Sequence, residues 1–202
     1  MSANPQKGGT VSGHSTESGG PTRQRLIDVA IELFKRHSIA GTSLQMISDE
    51  LGLTKSAIYH HFRTRDELLS AVIEPLISEV AHLVEAAEAM RSPRARADLV
   101  LTGFAALAAS NRELVSLLSG DPGVTDLLRL RTEWAAVVER QMALLADLEP
   151  GLGGQVKAAI VMSGISGAAG ADYGAVDDDM LRDQLIAAGR RTLGLRVSRA
   201  AG

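Results

Sequence analysis

Between Lys55 and His61 the sequence places an ammonium, a hydroxyl, a phenol and two imidazoles. Their carriers are Lys55, Ser56, Tyr59, His60 and His61, set around small Ala57 and a single aliphatic Ile58, with no carboxylate among them. A surface of this kind donates hydrogen bonds and repels no phosphate, which suits a groove walled by phosphates. Other chemistries fare worse. His60 and His61 are adjacent, so on a helix they point about 100° apart, a poor arrangement for one metal ion. Glu79 and His82 have the i, i+3 spacing of helical di-iron sites, but those need a second copy and further glutamates, so a surface ion pair is the better reading. Asp177 to Asp179 are better explained as carboxylates at a helix start than as ligands. Neither a nucleophile elbow nor a phosphate-binding loop occurs, and there is no cysteine to form a disulfide or a thiolate site. No catalytic residue, metal or cofactor is therefore expected, and the chain is not read as an enzyme.

Two short helices must position the Lys55–His61 set. In the stretch TSLQMISDELGLTKSAIYHHF, Thr42 and Gln45 have capping-box spacing, and Leu44, Ile47 and Leu51 fall on one helical face. Gly52 supplies the left-handed residue that a sharp helix stop requires, and Thr54 can cap a second helix over Lys55–Phe62. Ile47, Leu51, Leu53 and Ile58 would share a core, with small Ser48 where the backbones come closest. The spacing predicts a helix-turn-helix, although helical hairpins joined by such turns also occur in proteins that bind nothing.

The 202 residues suffice for one domain or for a small module on a larger one. Aromatics make up 3% and no window alternates with period two, so the fold class is all-α. No uncharged run approaches the roughly 20 apolar residues of a membrane span, and the N-terminus lacks an apolar signal core, so a cytoplasmic location is expected. The formal charge is −3, yet Thr22 to Arg65 carries Arg23, Arg25, Lys35, Arg36, Lys55, Arg63 and Arg65 against Asp28, Glu32, Asp49 and Glu50. A basic head on an acidic body is the balance of a site-specific binder of nucleic acid, not of a general coat for it.

Residues 1–21 are rich in Gly, Ser and Thr and are expected to be a disordered tail, in which Lys7 and His14 could graze a polyanion. The head spans 22–68, with its first helix from Thr22 to His37 presenting Leu26, Ile27, Ala30, Leu33 and Phe34. The body spans 69–202 and should hold about six helices. Thr64 and Glu67 cap the first of these, and Pro75 inside it predicts a kink or restart that is either a hinge or a static bend. Ser92-Pro93 opens the next, to Ser110, followed by a short helix over Asn111–Leu118. Gly120 to Gly123 is a turn before a helix from Val124 to Leu148, with Leu127, Leu130, Trp134, Val138, Gln141, Leu145 and Leu148 on one side. An eighth helix over Gln155–Ala171 repeats Ala159, Ser163, Gly167 and Ala171 every four residues, a ridge that admits another helix closely. Gly164, Gly167 and Gly170 should weaken it unless close packing compensates. The ninth helix opens at Asp177–Asp179.

The first helix followed by GTSLQMISDELGLTKSAIYHHFRTRDELL resembles the DNA-binding head of the TetR family of bacterial transcriptional regulators. The likeness is specific over Thr22 to Leu69: the Gly-Thr entry, the Ile-Tyr-x-x-Phe run and the step into the fourth helix. Beyond it only the order and number of helices agree. The resemblance implies a homodimer on a palindromic operator, usually a repressor, released by a small molecule in the body. It further implies that Gln45, Lys55 and Ser56 face bases, that Tyr59, His60 and His61 meet the groove wall or phosphates, and that Thr42 and Arg65 lie against the backbone. Hydrogen-bond chemistry agrees: Gln pairs with adenine, Lys with guanine O6 and N7, and Tyr offers a face to the thymine methyl.

The resemblance also implies that the last two helices form the dimer interface, through Ala159, Ser163, Gly167, Ala171, Leu185 and Ile186. Material for an apolar effector pocket is spread over Leu83, Met90, Phe104, Leu107, Trp134, Gln141 and Met162, each of which is also compatible with core packing. Gln141 stands out because a polar amide on an apolar stripe needs a partner, from a ligand or from a buried neighbour. Few charges lie on these stripes, so the expected effector is largely apolar. The alternative is a DNA-binding protein of the same fold controlled by a protein partner or lacking a small ligand.

Overall fold

The computed structural model describes residues 19–120 and 131–196, together with Val124 and Leu128. The expected tail up to residue 18, the Asp121–Gly123 turn, and Leu127 and Leu130 lie outside the described residues. Within them every regular element is a helix: α1 (Gly19–Gly41), α2 (Leu44–Glu50), α3 (Lys55–His61), α4 (Arg65–Glu88), α5 (Pro93–Ser110), α6 (Arg112–Gly120), α7 (Thr132–Ala146), α8 (Leu152–Ala169) and α9 (Asp178–Leu193). The all-α expectation holds, as three helices followed by six.

Gly19, Gly20 and Pro21 form the first turn of α1, where proline costs no hydrogen bond. α1 is broken at Ser38 (φ 63°, ψ 166°), directly after the expected end at His37. Leu26, Ala30 and Phe34 are fully buried against Ile47, Ile58, Phe62 and Leu68, which fixes the three-helix head.

α4 belongs to both halves of the molecule. Leu68, Leu69, Val72, Ile73 and Ile77 join the head core, whereas Val80, Val84 and Ala87 join the body core. Pro75 does not restart the helix. It lies on the exposed side, where water can take the carbonyl it leaves free, so α4 runs on as one element of 24 residues. Trp134 of α7 packs against both cores, and Lys35 of α1 bonds Glu113 of α6 across the junction.

In the body, α5 packs on α4, α7 and α9, and α8 packs on α7 and α9. Ser92 and Asp177 cap α5 and α9 through Ala95 N–H (3.4 Å) and Met180 N–H (3.3 Å). Arg190 grips Asp98 with two hydrogen bonds of 2.7 and 2.9 Å, fastening α9 to α5. α8 starts one turn earlier than expected, after Gly151 (φ 83°), and ends two residues earlier, at Ala169. None of the described helices is long and apolar enough to cross a membrane.

Candidate nucleic-acid interface

The turn between α2 and α3 follows from its residues. Leu51 ends α2, Gly52 takes φ 64°, and the Leu53 N–H returns to the Ser48 carbonyl at 2.8 Å. Ser48 is fully buried, and its hydroxyl donates to the Gln45 carbonyl. Thr54 then caps α3, its Oγ1 accepting from Ala57 N–H at 3.3 Å. With Ile58 and Phe62 fully buried, Lys55, Ser56, Tyr59 and His60 are exposed and His61 is half-buried. Lys55 Nζ stands 5.7 Å from the Tyr59 ring centroid, and the His60 and His61 rings meet edge to face at 5.3 Å. α3 thus presents the donors together on its free surface.

Thr42 departs from expectation. Its side chain is buried and its hydroxyl donates to the Ser38 carbonyl at 2.8 Å, so it is engaged within the head. The cap of α2 falls one residue later, on Ser43, whose Oγ accepts from Met46 N–H at 3.2 Å. The cause is Leu44, which opens α2 and must be buried together with Ile47. Gln45 closes no capping box either. It is exposed, and its amide donates to Asp49 at 2.7 Å. The buried phase of Leu44 was the signal for Ser43, and the Thr-Ser pair offered two hydroxyls for one role.

Arg65 Nη1 donates to the carbonyls of Ile39 (3.4 Å) and Ala40 (3.1 Å), so it braces the link between α1 and α2. Thr64 caps α4 through Glu67 N–H (3.1 Å), and Glu67 in return accepts from Arg63 N–H (2.8 Å). Between these groups and Tyr59 lies an open cleft of about 540 Å³, walled by Ser43, Gln45, Arg63 and Arg65 among others. Arg63 and Ser43 were not among the sequence candidates. Arg23 sits 5.0 Å from the Phe62 ring centroid, a cation–π contact that fixes α1 over the end of α3. At the head–body junction, burial pushes Lys35 down, but the hydrogen bonds it donates to Glu113 and Glu32 outweigh it and hold the amine above its ordinary range; Lys35 in turn draws Glu32 below its own.

The seven pocket candidates do not share one environment. Leu83 and Leu107 line an open cleft of about 490 Å³ between α4 and α5. Phe104, Trp134 and Met162 pack against the body core, and Gln141 is buried. Met90 is a correction. α4 stops at Glu88, so Met90 lies in the following turn, exposed, its carbonyl accepting from Arg96 Nε at 2.7 Å.

The dimer candidates divide similarly. Ala159, Ser163 and Gly167 are exposed on α8, beside outward Leu152, Val156 and Ile160, which are 75%, 46% and 56% exposed. A Cβ on Gly164 or Gly167 would meet nothing within 4 Å, whereas one on Gly170 would run into Ser116. Leu185 faces inward: Leu181, Leu185, Gly189 and Leu193 are the buried side of α9, and a Cβ on Gly189 would strike Leu101. Ile186 is partly buried on the same core. Ala171 lies beyond the end of α8, its carbonyl accepting from Arg112 at 3.5 Å, and is no part of the ridge.

Residues 26–72, which hold α2, α3 and their supports, match the profile of bacterial regulatory proteins of the tetR family. The match covers the head of the chain. Over 62 residues, 31% of this chain and 29% of that one, the chain is 39% identical to the transcriptional regulator AcrR of Shigella flexneri. The transcriptional repressor KstR2 of Rhodococcus jostii is 28% identical over 131 residues, 58% of this chain and 63% of its own length. The chain therefore matches less than two thirds of either relative. Over the rest of the chain the likeness is one of fold alone: the ketosteroid transcriptional regulator KstR2 of Mycobacterium tuberculosis superposes with a TM-score of 0.68, covering 92% of this chain and 97% of that chain at 15% identity.

Proposed function

We propose that the protein is a sequence-specific, DNA-binding transcriptional regulator that acts as a homodimer on a palindromic operator, most often as a ligand-released repressor. The observation that carries the reading is α3. Its buried side locks into the head through Ile58 and Phe62, while Lys55, Ser56, Tyr59 and His60 stand free with no carboxylate on the same element. On this reading Lys55 and Ser56 contact base edges together with Gln45. Tyr59, His60, His61 and Arg65 serve the groove wall and phosphates, and Arg63 joins them from the cleft.

The homodimer reading rests on α8. This helix is apolar nearly all round, and such a helix needs cover on every side. Its inner side is covered within the subunit, but the side carrying Leu152, Val156, Ile160, Ala159, Ser163 and Gly167 is not. A second copy of α8 crossing at Gly164 and Gly167 fits, because a backbone can approach where no Cβ intervenes. Named relatives act as regulators or repressors, and repression is carried over from them. Fluorescence anisotropy on fragments flanking the coding region, at two salt concentrations, tests the reading. One fragment bound tightly, with affinity falling steeply as salt rises, supports it; equal weak binding to all fragments opposes it.

A further inference from the structure

We infer that Asp49 is a positioning residue for base recognition: it turns the Gln45 side chain so that α2 presents a carbonyl oxygen to DNA and selects a base with an exocyclic amino group, adenine or cytosine. The inference rests on the DNA-binding reading above and names what one of its contacts recognises. Gln45 is exposed on α2 and walls the same cleft as Tyr59 and Arg63, so its amide lies beside the free surface of α3. Within α2 its Nε2 donates to Asp49 Oδ1 at 2.7 Å and to the Ser48 hydroxyl at 3.4 Å. An amide nitrogen carries two hydrogens, and these two partners use both.

Neither partner allows the amide to be turned over. A carboxylate only accepts. Ser48 is fully buried and its one hydroxyl hydrogen goes to the Gln45 main-chain carbonyl at 2.9 Å, so its oxygen is left as an acceptor too. A flipped amide would set Oε1 against two acceptors, so hydrogen-bond chemistry fixes which end points outward. Among the described residues nothing donates to Oε1, which stands as the free end of the side chain. In the major groove adenine offers N6–H and cytosine N4–H to such an acceptor, whereas guanine O6 and thymine O4 are acceptors that repel it. A free glutamine would hold adenine by two bonds, the second from Nε2 to N7. With Nε2 engaged by Asp49 and Ser48 that second bond is absent, and adenine loses its advantage over cytosine.

The test uses the full chain, Gln45→Ala and Asp49→Ala on a duplex that the full chain selects from a randomised library. Each position of the selected site is set to all four base pairs, and affinity is read by fluorescence anisotropy. Gln45→Ala should level the four at one position. There the parent should hold adenine and cytosine within about twofold of each other, and guanine and thymine about tenfold more weakly. Asp49→Ala releases the amide, so adenine should gain about tenfold over cytosine, and the penalty on guanine and thymine should shrink. Loss of a carboxylate strengthens binding to every duplex alike and a damaged fold weakens it alike, so neither redistributes the four bases. An adenine-only preference in the parent, an unchanged base pattern in Asp49→Ala, or no position levelled by Gln45→Ala would overturn the inference and leave the regulator reading standing. Failure of the full chain to select any duplex would overturn both.

Discussion

Ser38 holds a conformation, φ 63° and ψ 166°, that is open to glycine and strained for any residue with a Cβ, at a cost of order 1–3 kcal/mol. Its hydroxyl recovers part of that by accepting from Gly41 N–H at 3.2 Å. Ser38→Gly should still stabilise the fold, by about 1 kcal/mol, read as a melting temperature raised by about 2–4 °C; a fall would mean that the hydroxyl outweighs the strain. Thr42 gives the complementary case. Thr42→Val keeps the shape and removes the bond to Ser38, so stability should drop by about 1 kcal/mol in chemical denaturation. If Thr42→Val instead weakens DNA binding at unchanged stability, the hydroxyl reaches DNA after all. Tyr59→Ala, on the free side of α3, should behave oppositely: DNA affinity falls about tenfold while sedimentation shows an unchanged assembly.

At the scale of elements, α8 makes the sharpest demand. Ile160→Glu puts a charge in the middle of the uncovered apolar side and removes nothing from the subunit core, since Ile160 is 56% exposed. On the proposed homodimer, analytical ultracentrifugation should find a dimer for the parent and monomer for the variant, with helicity by circular dichroism unchanged; a dimer persisting in the variant would contradict an interface on this side of α8. The limits of the sequence reading also belong to elements. Caps at Thr54, Thr64, Ser92 and Asp177 were legible because each is a short polar residue just before a periodic apolar run. The start of α2 was not, because Thr42 and Ser43 are chemically interchangeable and the burial of Leu44 alone chooses between them. Leu185 was misplaced for a related reason. Periodicity tells that α9 has an apolar side but not whether a neighbouring helix or a partner covers it, and Gly189 against Leu101 decides for α5. The pocket residues shared the same ambiguity, and Met90 fell outside once α4 ended at Glu88.

Across the whole molecule, head and body are joined by one continuous helix, by Trp134 between the two cores and by the Lys35–Glu113 bond. α4 stays helical through Pro75. The division was legible in the sequence as a switch from basic to acidic composition; the sharing of α4 between two cores was not, because its apolar positions continue without a break. On the proposed function, two copies of α3 read DNA sequence together. Selection of bound duplexes from a randomised library by the full chain, followed by sequencing, tests it most directly. Enrichment of an inverted repeat with half-sites about 10 base pairs apart, or a multiple of that, is expected, and its loss with Lys55→Ala or Tyr59→Ala. Recovery of unenriched sequence, or of a single half-site with no symmetry, would contradict it.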